Sequence, residues 1–140
     1  MTRCLTDYLI YECGIIPGMF GFNTRTVGYK AEEQAAKFLK SKGYTILQTN
    51  FTIRGGEVDI VAQDNKDLVF VEVKMRSNTS FGSALESITP WKVTALKKTA
   101  LFYIRKVGWG DKSYRFDLVT IDKKENGSFD FGLMKNIITG

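Results

Sequence analysis

Apolar residues recur at helical spacing from Gly28 onward, through Ala31, Ala35, Ala36, Phe38 and Leu39, and Gly43 stands where a helix would stop. This predicts a helix over residues 26–42. Residues 44–54 are rich in β-branched and aromatic side chains, and Gly55-Gly56 makes a turn. Residues 57–63 then alternate, with Val58, Ile60 and Ala62 set against Glu57, Asp59 and Val61. A second turn at residues 64–67 leads into the most apolar run of the chain, residues 68–76, completing three strands in a meander. Residues 77–83 read as polar loop. Thr89-Pro90 supplies a cap and a first-turn proline for a helix that reaches Val107, with Gly108 as its stop. Residues 115–121 and 128–133 are two further strands. The order is α-β-β-β-α-β-β, and the second helix is long enough to cross over and make strands three and four parallel. The pattern predicts an α/β fold with a central mixed sheet.

Residues 1–24 stand apart from this pattern. The segment from Leu9 to Phe22 is apolar, but Asp7 and Glu12 interrupt its surroundings and Pro17, Gly14, Gly18 and Gly21 break it. No run in it approaches the ~20 apolar residues that span a bilayer. It carries neither the helical nor the strand period, so residues 1–24 read as an extension outside the core and residues 25–140 as the domain. A cytoplasmic protein without membrane attachment is expected.

Composition narrows the chemistry. At 140 residues with 44% hydrophobic side chains the chain is one globular domain. Two cysteines, Cys4 and Cys13, neither staple a domain nor match a zinc site. The absence of histidine removes Ser-His-Asp and Cys-His nucleophiles and imidazole metal ligands, leaving carboxylates, lysine, tyrosine or metal. The net charge of +5 favours an anionic partner, nucleic acid first. That charge is uneven: residues 28–50 carry net +2, residues 81–110 net +4 and residues 51–80 net −1. Two basic helical segments around an acidic meander suit a phosphate-gripping rim about a cation-binding centre.

Within the apolar run, Glu72 and Lys74 break the pattern twice. A buried charge must be paired or bound to metal. Strand geometry puts Glu72, Lys74 and Arg76 on one face, and pairing through the 64–67 turn brings Glu57 and Asp59 close to them. Glu32 lies on the packed stripe of the first helix, whereas Glu33 pairs with Lys37 on its outer face. Carboxylates suit Mg²⁺ or Mn²⁺, and a nearby lysine can orient water or stabilise developing charge. Phosphodiester hydrolysis needs these parts and no histidine. The reading assigns Glu32, Asp59 and Glu72 to metal and Lys74 to the attacking water. Arg54, Arg76, Lys92, Lys97 and Lys98 are candidate phosphate contacts. Asp117, two residues after Arg115, reads as a structural ion pair, and Trp91, Phe102 and Tyr103 as core packing with base stacking as the alternative.

The spacing of Asp59, twelve intervening residues, then Glu72-x-Lys74 resembles the PD-(D/E)XK nuclease signature, and Glu32 resembles the additional helix acid of archaeal Holliday-junction resolvases in that superfamily. More closely, an ordered series of blocks is similar to the YraN family of bacterial proteins. The blocks are Gly28 with Ala31-Glu32 and Ala35, Gly43-Tyr44, Asn50-Phe51, Gly56 to Ala62, Phe70 to Lys74 with Arg76, Phe81-Gly82 and Arg115-Phe116-Asp117. The likeness runs over residues 28–121. It implies a restriction-endonuclease-like α/β/α fold, nucleic-acid binding and nuclease chemistry. Ala31 stands where that family commonly has glycine, and the N-terminal extension is additional to its pattern. The expected function is a metal-dependent DNA endonuclease, with branched or repair-intermediate DNA as candidate substrate and RNA as a further one. The competing reading is a catalytically inactive nuclease-fold protein that binds DNA or acts as a scaffold in recombination or repair. A second copy of the chain and recombination or repair proteins are candidate partners.

Overall fold

The computed structural model of the chain describes residues 3–5, 8–12, 24–76 and 81–139. Strands β1 (Arg3–Leu5) and β2 (Tyr8–Glu12) form a short antiparallel hairpin in the N-terminal extension, where no periodicity announces it. Helix α1 (Thr24–Ser41) buries Ala31, Ala35, Phe38 and Leu39, and the chain leaves it at Gly43 with a φ of 93°. Strands β3 (Thr45–Ile53), β4 (Gly56–Asp64) and β5 (Asp67–Arg76) are the antiparallel meander. A six-residue helix α2 (Phe81–Glu86) occupies the end of the segment expected as loop, whose residues 77–80 lie outside the described residues.

Helix α3 (Pro90–Val107) opens as its sequence requires. Thr89 is extended and its side chain accepts from the Lys92 N–H, Pro90 fills the first turn, and Gly108 ends the helix at a φ of 67°. This helix is the crossover: β6 (Tyr114–Lys123) lies parallel to β5, and β7 (Phe129–Met134) returns antiparallel. Among the described residues seven strands run β1-β2-β7-β6-β5-β4-β3 across one mixed sheet, with β2 joined to β7 through Ile10, Tyr11 and Glu12.

Each face of the sheet has its own core. On one, α1 packs Ala35, Phe38 and Leu39 onto Ile60, Val71, Val119 and Ile121. On the other, α3 packs Leu96, Ala100, Tyr103 and Ile104 onto Val58, Val61, Phe70 and Leu118. Helices on both faces of a sheet make the expected α/β sandwich.

One irregularity positions the site. β4 pairs with β5 from Asp64 only as far as Ile60, opposite Val71, and nearer its start it runs beside β3 alone. At this fork the side-chain alternation of β4 reverses. Val58 joins the α3-side core and Ile60 the α1-side core, which corrects the sequence reading that put them on one face. On β3, Asn50 lies between the paired residues Thr49 and Phe51 with a φ of 52°. Gly56 lets the start of β4 press onto α3, since a Cβ there would lie 2.9 Å from the Ala95 carbonyl oxygen and overlap Thr99 Oγ1.

Candidate functional site

Asp59 sits in the fork where β4 leaves β5. Its Oδ2 accepts from the Val73 N–H at 2.8 Å, taking the place of the strand partner that the divergence removes. Burial raises its pKa, opposed by the Val73 N–H and by the charge of Lys92, and Glu72 lies within hydrogen-bonding reach.

Glu72 follows on the α3 side of β5 and is only 5% exposed. Its Oε1 accepts from Lys92 Nζ at 3.1 Å, while its buried Oε2 has no hydrogen-bond partner among the described residues. Burial first, and the charge of Asp59 second, push its pKa up to about 7 against the opposing pull of Lys92 and Lys74.

Glu32 approaches from α1, on the other face of the sheet. Burial raises its pKa, as do the charges of Asp59 and Glu57, while a hydrogen bond from Asn50 opposes them. Asp59 is therefore the shared member: it interacts with Glu72 on one side and with Glu32 on the other. Among the described residues no three such side chains are gathered closely enough to hold a metal ion as they stand. Asn50 is a contributor that the sequence pattern left unassigned; an asparagine inside a strand, a residue type that tolerates positive φ, is the signal that marks it.

The basic residues divide. Arg76 is a correction to the expected phosphate contact: its Nε and Nη2 each lie 2.9 Å from an Asp122 oxygen in a pair that is almost wholly buried. Lys92 turns inward to Glu72. Lys98 and Arg54 are exposed at the junction of α3 and the 54–56 turn, where Lys98 Nζ donates to the Arg54 carbonyl at 3.3 Å, and Lys97 is half-buried beside them. Asp117 is structural, as expected. It is fully buried and accepts from Arg115 Nε at 3.0 Å, Tyr44 Oη at 3.0 Å and the Asn136 N–H at 2.9 Å. Arg115 also reaches Asp64 and Asp67, so this network is fully paired around one guanidinium. The aromatic expectation holds for Tyr103 alone: Tyr103 is buried, but Phe102 and Trp91 are 55% and 84% exposed.

A cleft of about 490 Å³ opens beside the acids, lined by Glu57, Lys74, Thr89, Trp91 and Lys92 among others. Lys74 joins Glu72 to this cleft, since it forms part of its wall and its charge acts on the Glu72 carboxylate. The segment that assembles this site, from Ala31 on α1 to Ile121 on β6, coincides with a match to the model of the "Uncharacterised protein family UPF0102" over residues 31–121. The chain belongs to the UPF0102 family. A UPF0102 protein of Carboxydothermus hydrogenoformans is 45% identical over 107 residues, covering 76% of this chain and 91% of that protein. One from Caldicellulosiruptor saccharolyticus is 41% identical over 115 residues, covering 81% and 98%. A third, from Hahella chejuensis, is 41% identical over 105 residues, covering 75% and 85%. This is the YraN family that the ordered blocks resemble. Among the described residues of this UPF0102 member, no helix is long and apolar enough to cross a membrane.

Proposed function

We propose that this protein is a divalent-metal-dependent nuclease of restriction-endonuclease-like fold, acting on DNA. The observation that carries the reading is Glu72 Oε2, a buried carboxylate oxygen without a hydrogen-bond partner among the described residues, next to the carboxylate of Asp59 in the fork of the sheet. A buried acid beside a half-buried one, with a carboxylate oxygen unanswered among the described residues, forms a donor set that suits a further cation. Asp59 and Glu72 would hold Mg²⁺ or Mn²⁺, with Glu32 reaching toward Asp59 from the α1 side. When bound, the ion supplies polarisation of a phosphate oxygen and a water of lowered pKa.

The remaining work belongs to the chain. Lys74, in the cleft wall, orients the attacking water and offsets negative charge developing on phosphorus-bound oxygen. The Val73 N–H fixes the Asp59 carboxylate against rotation. Arg54, Lys97 and Lys98 on the rim grip flanking phosphates. Water adds to phosphorus, the phosphorus–oxygen ester bond breaks, and the products are a phosphate monoester and a free hydroxyl. A cytoplasmic site of action suits this chemistry, on recombination or repair intermediates.

The Lys92–Glu72 ion pair favours a second reading, in which Lys92 permanently serves as the cation and the protein binds DNA without cutting it. Melting curves with Mg²⁺ or Mn²⁺ and cleavage assays on branched, flapped and linear DNA separate the two. The nuclease reading expects a metal-induced rise in melting temperature that Asp59→Asn abolishes, together with metal-dependent cleavage. Asparagine retains an acceptor for Val73, so the variant keeps its fold. An equal shift in the variant overturns the metal assignment, and binding without cleavage by the wild type supports the second reading.

A further inference from the structure

Trp91 is the most exposed large apolar side chain of the described residues, at 84%. Leaving an indole in water forgoes the stabilisation its burial would bring, and what sets this one apart is its place beside the acids. The backbone at this position is held by its helix start. Trp91 follows Pro90 in the first turn of α3, and the Thr89 cap on the Lys92 N–H holds that turn. The position is also local to the chemistry, since Trp91 shares the cleft wall with Lys74, Lys92 and Glu57. Among the described residues no aromatic ring stacks on it. The other tryptophan, Trp109, is engaged: its Nε1 donates to the Ser113 carbonyl at 3.2 Å and Lys112 Nζ stands 4.9 Å from its ring centre.

We propose that Trp91 is a stacking platform for an unpaired nucleotide, so that the site takes flapped, branched or single-stranded ends rather than continuous duplex. The proposal rests on the nuclease reading of Asp59 and Glu72 and names its substrate class. A base can stack on an indole only if its own face is uncovered. In a duplex interior both faces are covered by neighbouring bases; in a single strand or at a flap one is free. The cleft volume of about 490 Å³ is that of a pocket for one small ligand and suits a nucleotide. A base on Trp91 places its phosphate among the lysines of the same wall.

Binding of fluorescent 12-mers, measured by anisotropy in EDTA and again with Ca²⁺, tests this. The probes are oligothymidine, an abasic strand of the same length and a blunt duplex, with oligouridine distinguishing RNA from DNA. The wild type should bind oligothymidine at least about five-fold more tightly than the abasic strand. Trp91→Ala should erase that preference and Trp91→Phe keep most of it. Indole fluorescence should be quenched by oligothymidine in the wild type and unchanged in Trp91→Phe, which retains only Trp109. Equal affinity of the wild type for base-bearing and abasic strands overturns the proposal, as does a preference that survives in Trp91→Ala. In either case, metal-dependent cleavage by the wild type leaves the nuclease reading standing. Failure to bind any probe, with no cleavage, overturns both.

Discussion

Lys92 Nζ stands 3.1 Å from Glu72 Oε1, so the buried acid of the central strand is answered from the crossover helix and not by its strand neighbour Lys74. The pair explains how the fold tolerates Glu72 with no ion bound, and it makes Lys92 a competitor of any metal. Lys92→Gln should lower stability without metal by about 1–2 kcal/mol, since one partner of a mostly buried pair is lost but Lys92 is itself partly solvated. The same variant should show a larger Mn²⁺-induced rise in melting temperature than the wild type. Differential scanning fluorimetry across a Mn²⁺ titration checks both effects.

The raised pKa of Glu72 has a sign that can be measured. Its ordinary value is 4.5 and burial pushes it to about 7, so the folded state binds this proton more tightly than the unfolded one. Its contribution to stability is full below about pH 4.5 and is lost as pH rises through about 7. Without metal, the wild type should lose up to about 3 kcal/mol more stability than Glu72→Gln between pH 4.5 and pH 8. Urea melts of the two proteins at both pH values decide it.

The Arg115 network should behave differently, because every Asp117 oxygen there already has a donor. Asp117→Ala strands a guanidinium, a phenol and a backbone N–H together, and should cost about 3–5 kcal/mol in chemical denaturation. The metal-induced stabilisation should survive wherever the variant folds.

Much of this architecture is legible in the chain because it is local. Thr89-Pro90 and Gly108 bound α3 through contacts within a turn, and the 64–67 turn sets the β4–β5 hairpin. Glu72 and Lys74 stand out because a central strand is otherwise apolar. The unread parts depend on contacts distant in sequence. The reversal at Asp59 arises because β4 leaves β5, which period-two alternation cannot register. Arg76 looks like a surface cation until Asp122, 46 residues away, covers it. Trp91 looks like core because helical spacing says nothing about whether the first turn of a helix overhangs its sheet.

The proposed grip of Lys97 and Lys98 on phosphates implies a salt dependence. Charge reversal of Lys97 and Lys98 to Glu should weaken DNA binding at every sequence. It should also flatten the slope of log affinity against log salt by about 0.9 per lost duplex phosphate contact. An unchanged slope in anisotropy titrations places the binding face elsewhere.

A chain beginning at Met19 lacks β1 and β2, which attach to the sheet through three residues of β2 along β7. Its thermal stability should fall by less than about 2 kcal/mol, the cost of losing one well-buried side chain. Removing the hairpin bares the β7 edge, and an unpaired edge recruits another strand. Sizing over a range of concentrations should therefore reveal self-association absent from the full chain; a large loss of stability instead makes the hairpin part of the core.

The fork between β4 and β5 also orders events in time. Asp59 and Glu72 belong to one hairpin closed by a short turn, the kind of element that forms in about 1–10 microseconds. Lys92 arrives only when α3 docks and β6 finds β5 across the crossover, a slower and less local step. If the hairpin closes before α3 docks, the two acids meet while Lys92, the partner of Glu72, is still absent. A divalent ion present at that stage would bind the early hairpin as well as the native state, so its effect would fall on the refolding rate as well as on the unfolding rate.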